Sequence, residues 1–227
     1  PDMVKLILDA HSGATKAKHN GMTPFAIACT TYDSYKKKND HLQILQYLMD
    51  ADPKQVEVAS KGLDQQYALH QFISMHGTSS HIICIARAAP KVINWHATTT
   101  NGHEYPIQMY IERHSFKSID IKVIEALIEA CPSAACSKDY GGNTPLHCAL
   151  EYIADSRLKD EVVKVLLSHD TKACEIRDKD GNLPLHSAVE AHAVSGDTVK
   201  LIRPHFSKAA CTRTIAHASP DRCLRQA

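Results

Sequence analysis

The sequence predicts an all-α solenoid, built of stacked helix-turn-helix units joined by short turn fingers. Three observations carry that prediction. A short phrase recurs, its step is nearly constant, and the apolar residues on either side of it follow helical spacing. The phrase is clearest at Thr144-Pro145-Leu146-His147 and Leu183-Pro184-Leu185-His186. Weaker copies stand at Thr23-Pro24-Phe25-Ala26, Tyr67-Ala68-Leu69-His70 and Tyr105-Pro106-Ile107-Gln108. Counted at the proline position (24, 68, 106, 145, 184), the steps are 44, 38, 39 and 39 residues. A short unit repeated in this way cannot bury its apolar face alone and must stack on its neighbours. A stack offers an extended surface to a partner and, by itself, no enclosed catalytic pocket.

The elements follow in order. Residues 4–10 read as the second helix of a unit whose first helix is expected upstream. First helices then begin near Thr23, Tyr67, Tyr105, Thr144 and Leu183. Second helices are expected at about 41–50, 80–88, 119–130, 160–169 and 197–206. The copy at 135–173 is the easiest to justify. Its turn cluster, Lys138-Asp139-Tyr140-Gly141-Gly142-Asn143, holds glycines able to take positive φ. Thr144 can cap a helix with Pro145 in its first turn, where a missing N–H costs nothing. Leu146, Ala149, Leu150 and Ile153 then recur at helical spacing. Residues 155–160 read as a polar connection, and Val162, Val163, Val165, Leu166 and Leu167 as the apolar second helix. A short extended return through 172–176 leads to the next turn at Asp178-Lys179-Asp180-Gly181. In the last unit Pro204 should end or kink the second helix. The whole reads as a single array: a partial repeat at 1–20, repeats at about 21–58, 59–97, 98–136, 137–175 and 176–210, and a polar cap or tail at 211–227.

Thr144-Pro145-Leu146-His147-Cys148-Ala149 matches Thr-Pro-Leu-His-x-Ala, the signature of the ankyrin repeat, which this chain resembles over almost its whole length to about residue 210. Leu183-Pro184-Leu185-His186-Ser187-Ala188 matches with one substitution. The copy at Tyr105 lacks the histidine and alanine, and the copy at Tyr67 lacks the proline. The period also exceeds the family's usual length of about 33 residues, with the surplus at the end of the first helix and in the loop after it. The resemblance implies a structural role for Pro145, Leu146, His147, Pro184, Leu185 and His186. The two histidines would bond turn backbone between neighbouring repeats. It also implies a protein partner, held on a concave side lined by turn tips and first helices. Tyr and Arg anchor protein interfaces more often than most residues. The expected contact residues are therefore Tyr110, Arg113, Lys138, Tyr140, Tyr152, Arg177 and Lys179, with Tyr32 and His192 nearby.

Other chemistries find little support. A formal net charge of +1 gives no field for nucleic acid or an acidic membrane, and no stretch approaches eighteen apolar residues. Fifteen histidines and eight cysteines invite a metal, yet neither Cys-x-x-Cys nor His-Glu-x-x-His occurs. Asp178-Lys179-Asp180-Gly181 resembles the start of a calcium loop, but position twelve would be Ser187 in place of a bidentate Glu. There is no nucleophile elbow and no phosphate-cradling loop. The expectation is no catalysis, no cofactor and no metal. Most cysteines sit singly within apolar helical patterns and read as reduced thiols, which suits a cytoplasmic or nuclear setting. Lys36, Lys37 and Lys38 read as a solvated loop and as a rival contact site. The leading function is a protein-interaction module or scaffold. The alternatives are a permanent structural subunit of a larger assembly and the regulatory domain of a longer enzyme or channel.

Overall fold

The computed structural model describes residues 1–11, 13–32, 37–57, 68–75, 77–94, 97–99, 102–115, 119–190 and 196–205. Eleven α-helices occur among them: α1 (Asp2–Ala10), α2 (Pro24–Thr30), α3 (Lys38–Ala51), α4 (Ala68–Ser74), α5 (Ser79–Ala88), α6 (Pro106–His114), α7 (Ile121–Ala130), α8 (Pro145–Tyr152), α9 (Ser156–His169), α10 (Pro184–Glu190) and α11 (Gly196–Ile202). Four first helices open on the expected proline: Pro24, Pro106, Pro145 and Pro184. Side-chain caps fix other starts. Thr23 Oγ1 accepts from the Ala26 N–H at 3.3 Å, and Asp155 Oδ1 from the Leu158 N–H at 2.8 Å.

The chain divides into two compact units, residues 1–134 and 135–227. In the first, α2 pairs with α3, α4 with α5 and α6 with α7; α2, α4 and α6 stack, as do α1, α3, α5 and α7. Phe25, Leu45, Leu69, Phe72, Ile82, Ile85, Ile107, Val123 and Leu127 form its interior. In the second, α8 pairs with α9 and α10 with α11, while α8 packs on α10 and α9 on α11. Leu146, Leu150, Val162, Val163 and Leu166 are fully enclosed there. Each such side chain contributes about 1.5–3 kcal/mol by leaving water. The architecture is all-α, as the repeat pattern predicted. Among the described residues, antiparallel pairing is confined to fingers: β1 (Ala97–Thr99) with β2 (Gly102–Glu104), and one bridge between His19 and Met22. Asn20 and Gly21, at that bridge's tip, both take positive φ, the geometry of a tight hairpin turn.

Four details differ from the sequence reading. The expected extended return is a 3₁₀ turn, at Pro53–Glu57, Pro90–Asn94, Pro132–Cys136 and Thr171–Glu175. In three of these a leading proline presets a helical φ, and each turn tucks apolar residues such as Val56, Val92, Ala134 and Ala173 into the interior. Residues 156–160 are helix and not loop, because the Asp155 cap starts α9 a full turn early. Leu185, expected to share the structural role of Leu146, is only half-buried, whereas Leu146 is fully enclosed. Lys38 opens α3, so it does not belong to a solvated loop. Pro204 acts as expected: α11 stops at Ile202 and the chain continues as a 3₁₀ turn, Arg203–His205. The expected cap at 211–227 lies outside the described residues, as does Lys36.

One polar position recurs where second helices begin. His41, Thr78, Asp120 and Lys159 each stand twelve residues before the 3₁₀ turns that open at 53, 90, 132 and 171. Each ties the start of its second helix to a group on or just past a first helix. His41 Nε2 lies 2.9 Å from the Ala28 carbonyl, and Lys159 Nζ 3.0 Å from that of Leu150. The backbone N–H of Thr78 donates to the Tyr32 hydroxyl, and that of Asp120 to the Tyr110 hydroxyl. Two of these residues, His41 and Lys159, are polar groups inside the stack, and each has a partner to offset the cost of burial.

Candidate interaction surface

Two fingers of residues 135–227 share one internal staple. In the first, Asp139 Oδ1 accepts from the Asn143 N–H at 2.8 Å, and the Asp139 N–H donates to the Asn143 carbonyl at 3.0 Å. Thirty-nine residues on, Asp178 Oδ1 accepts from the Asn182 N–H at 2.7 Å, and the Asp178 N–H donates to the Asn182 carbonyl at 2.9 Å. Gly142 (φ 79°) and Gly181 (φ 83°) make the bend that an L side chain resists. The fingers are also joined to each other. The Lys179 N–H donates to the Gly141 carbonyl at 2.9 Å, and Lys138 Nζ to the Arg177 carbonyl at 2.9 Å.

His147 fixes the finger to the helix behind it. Its Nδ1 accepts from the Thr144 N–H at 3.2 Å and lies 2.9 Å from the Thr144 hydroxyl. With Nδ1 as the acceptor, the proton sits on Nε2, which donates to the Asn182 carbonyl of the next finger at 3.3 Å. Burial holds its pKa below the ordinary value, against the Asn182 carbonyl and the Asp178 and Asp139 carboxylates, so the ring stays neutral. His186 repeats the first half of this arrangement, accepting from the Leu183 N–H at 2.8 Å.

The staples settle what the tips display. The Asp139 and Asp178 carboxylates are turned inward on Asn143 and Asn182, with contacts on both oxygens. Tyr140 stands 61% exposed, and the Lys179 ammonium lies 3.4 Å from the centre of its ring. That is a cation–π pair on the outer surface. Arg177 donates to the Gly181 carbonyl. Lys138, Tyr140, Arg177 and Lys179, four of the seven expected contact residues, are thus gathered on two adjacent fingers. Tyr152 lies half-buried at the end of α8, and Arg113 half-buried near the end of α6.

Tyr110 cannot serve as a surface contact. It is 2% exposed, its ring stacks on His114 with centroids 4.3 Å apart, and its hydroxyl accepts from the Asp120 N–H at 3.0 Å. Burial pushes its phenol up to about 12. Tyr32 is likewise enclosed, against Phe72 and two histidines. His192 lies outside the described residues. Among the rival lysines, Lys38 folds back over the Tyr32 ring, 3.6 Å from its centroid, with Nζ 2.6 Å from the Tyr32 carbonyl.

Among the described residues no three His, Cys, Asp or Glu side chains converge as a metal would need, and six cysteines carry free thiols. Burial pushes Cys136 up to about 11 and Cys174 to about 12, far from the range of a nucleophilic thiolate. No described helix is long and apolar enough to cross a membrane.

The sequence alone places Lys138, Tyr140, Arg177 and Lys179 at turn tips but does not display the staples. The signal was present, since Asp-x-x-Gly-Asn occurs at 139–143 and again at 178–182.

Comparison with known proteins agrees with this fold. Residues 117–213 match the family of ankyrin repeats, in three copies. Among solved structures, the chain resembles one in the complex of the Bd0816 predatory endopeptidase from Bdellovibrio bacteriovorus with immunity protein Bd3460. The TM-score is 0.59 at 18% identity, over 89% of this chain and 91% of that one. At that identity the likeness is one of fold. No curated protein matches the chain.

Proposed function

Because residues 117–213 match the ankyrin-repeat family and the repeat phrase recurs at about 39 residues, we propose that the chain is a protein-interaction module whose partner binds the fingers of residues 135–227. Ankyrin repeats mediate protein–protein contacts and are typically not enzymes. The observation that carries the placement is the pair of stapled fingers. Backbone and side-chain hydrogen bonds pre-order them, so little conformational entropy is left to lose on binding. Their carboxylates at Asp139 and Asp178 are spent on the staple, while the Lys138 and Lys179 ammonium groups and the Tyr140 ring face outward. A partner with an acidic rim around an apolar spot fits that display. The protein would work by presentation, holding its partner in place without chemistry of its own.

The test is affinity purification from the native source with three forms of the chain: unaltered, Lys138→Glu with Lys179→Glu, and Lys37→Glu. The partner recovered by the unaltered chain should be lost at least tenfold with the finger variant and retained with Lys37→Glu. Loss with Lys37→Glu alone would move the site to the loop before α3. Equal retention by all three would reject the finger surface.

A further inference from the structure

We propose that His41 and His81 form an acid-released latch between the first two complete helix pairs of residues 1–134. His41 lies on α3 and His81 on α5, and both rings are buried. His41 Nδ1 and His81 Nε2 are 3.0 Å apart. The proton positions follow from the one neighbour that has no choice. The Ala28 carbonyl can only accept, so His41 Nε2, 2.9 Å away, carries a hydrogen. Neutral His41 then offers Nδ1 as an acceptor, and His81 must donate to it from Nε2. His81 Nδ1 is left to accept from the Thr78 hydroxyl, 2.5 Å away. Hydrogen bonds therefore run in one direction, from Thr78 through both rings to α2, and only when both rings are neutral.

The surroundings oppose any further proton. From α2 and the residues after it come the Ala28 carbonyl and Tyr32, whose ring lies edge-on to both imidazoles at 5.4 and 5.1 Å. From α4 comes Phe72, stacked on His81 at 5.4 Å. Among the described residues, the charge brought to the pair is the Lys38 ammonium at the start of α3, held over Tyr32. A proton on His41 Nδ1 would set two N–H groups head to head. One on His81 Nδ1 would leave an imidazolium between Phe72 and Tyr32 in the field of Lys38. Burial lowers both pKa values. For His81, His41 and then Lys38 lower it further, to about 4; for His41, burial is the largest cause, opposed by the Ala28 carbonyl and reinforced by Lys38. Once the helix pairs separate, each ring regains a pKa near 6.5. Below that pH the opened form binds more protons, so each further unit favours opening by up to about tenfold per histidine, until the closed form itself protonates.

Hydrogen exchange of the whole chain, followed by mass spectrometry at pH 7 and pH 5 and corrected for intrinsic rates, tests the latch. Opening of α3, α4 and α5 should become at least tenfold more frequent at pH 5. The double variant His41→Leu, His81→Leu should lose most of that increase. Should the variant fail to fold, NMR of the unaltered protein decides. Both rings should then keep their neutral Nε2–H signatures through pH 5.5 in the closed state. An undiminished acid response in a folded double variant would overturn the latch. So would both rings titrating near pH 6.5 without faster exchange.

Discussion

At the scale of single residues, the fingers turn on what each side chain is asked to hold. Gly142 and Gly181 share the same positive φ, yet their surroundings differ. A Cβ on Gly142 would lie 2.8 Å from the Lys179 backbone nitrogen, whereas one on Gly181 would meet nothing within 4 Å. Gly181→Ala should therefore cost about 1 kcal/mol, the conformational penalty alone. Gly142→Ala should cost clearly more, because the two fingers must move apart. Urea unfolding midpoints of the two variants measure the difference. His147→Ala should cost about 1–2 kcal/mol by stranding the Thr144 N–H and the Asn182 carbonyl. The pH dependence has a definite sign. The folded pKa of His147 lies below its unfolded value, so between the two the unfolded chain binds more protons. The contribution is whole above pH 6.5 and falls as the solution is acidified. Comparing the midpoints of His147→Ala and the unaltered chain at pH 7 and 5 should show the gap between them narrowing.

At the scale of elements, much was legible in the sequence, and what was missed has physical causes. First helices stood out because proline marks their start and leucine, alanine and histidine recur at fixed offsets; second helices stood out by their apolar runs. The 3₁₀ turns were read as extended chain because five residues are too few to show a period. Tyr110 was read as a surface anchor because residue type cannot tell a tyrosine whose hydroxyl reaches the Asp120 N–H from one facing solvent. Lys138, Tyr140, Arg177 and Lys179 are legible as turn-tip residues because they stand beside the glycine, aspartate and asparagine clusters that mark turns. The staple beneath them needs the pairing of Asp139 with Asn143 and of Asp178 with Asn182 in space. The early start of α9 gives a clean test of local capping. Asp155 is exposed and its carboxylate accepts from the Leu158 N–H, so Asp155→Ala should cost about 1 kcal/mol. Leu166→Ala, in the enclosed middle of the same helix, should cost about 2–5 kcal/mol. Thermal unfolding of the two variants should rank them in that order.

At the scale of the whole molecule, different surfaces of residues 135–227 do different work. The inner faces of α8 and α9 are packed, with Leu150, Val162, Val163 and Leu166 enclosed. Lys164 faces solvent on the outer side of α9, away from the fingers in sequence and in role. The central claim is that the fingers, and not the backs of the second helices, receive the protein partner. Site-specific photo-crosslinking reads this directly: a photoreactive residue replaces Tyr140 in one form of the full chain and Lys164 in another, and both are irradiated in native extract. The account predicts one discrete adduct from position 140, competed away by unlabelled chain, and none from position 164. The same competed adduct arising at 164 and absent at 140 would contradict it.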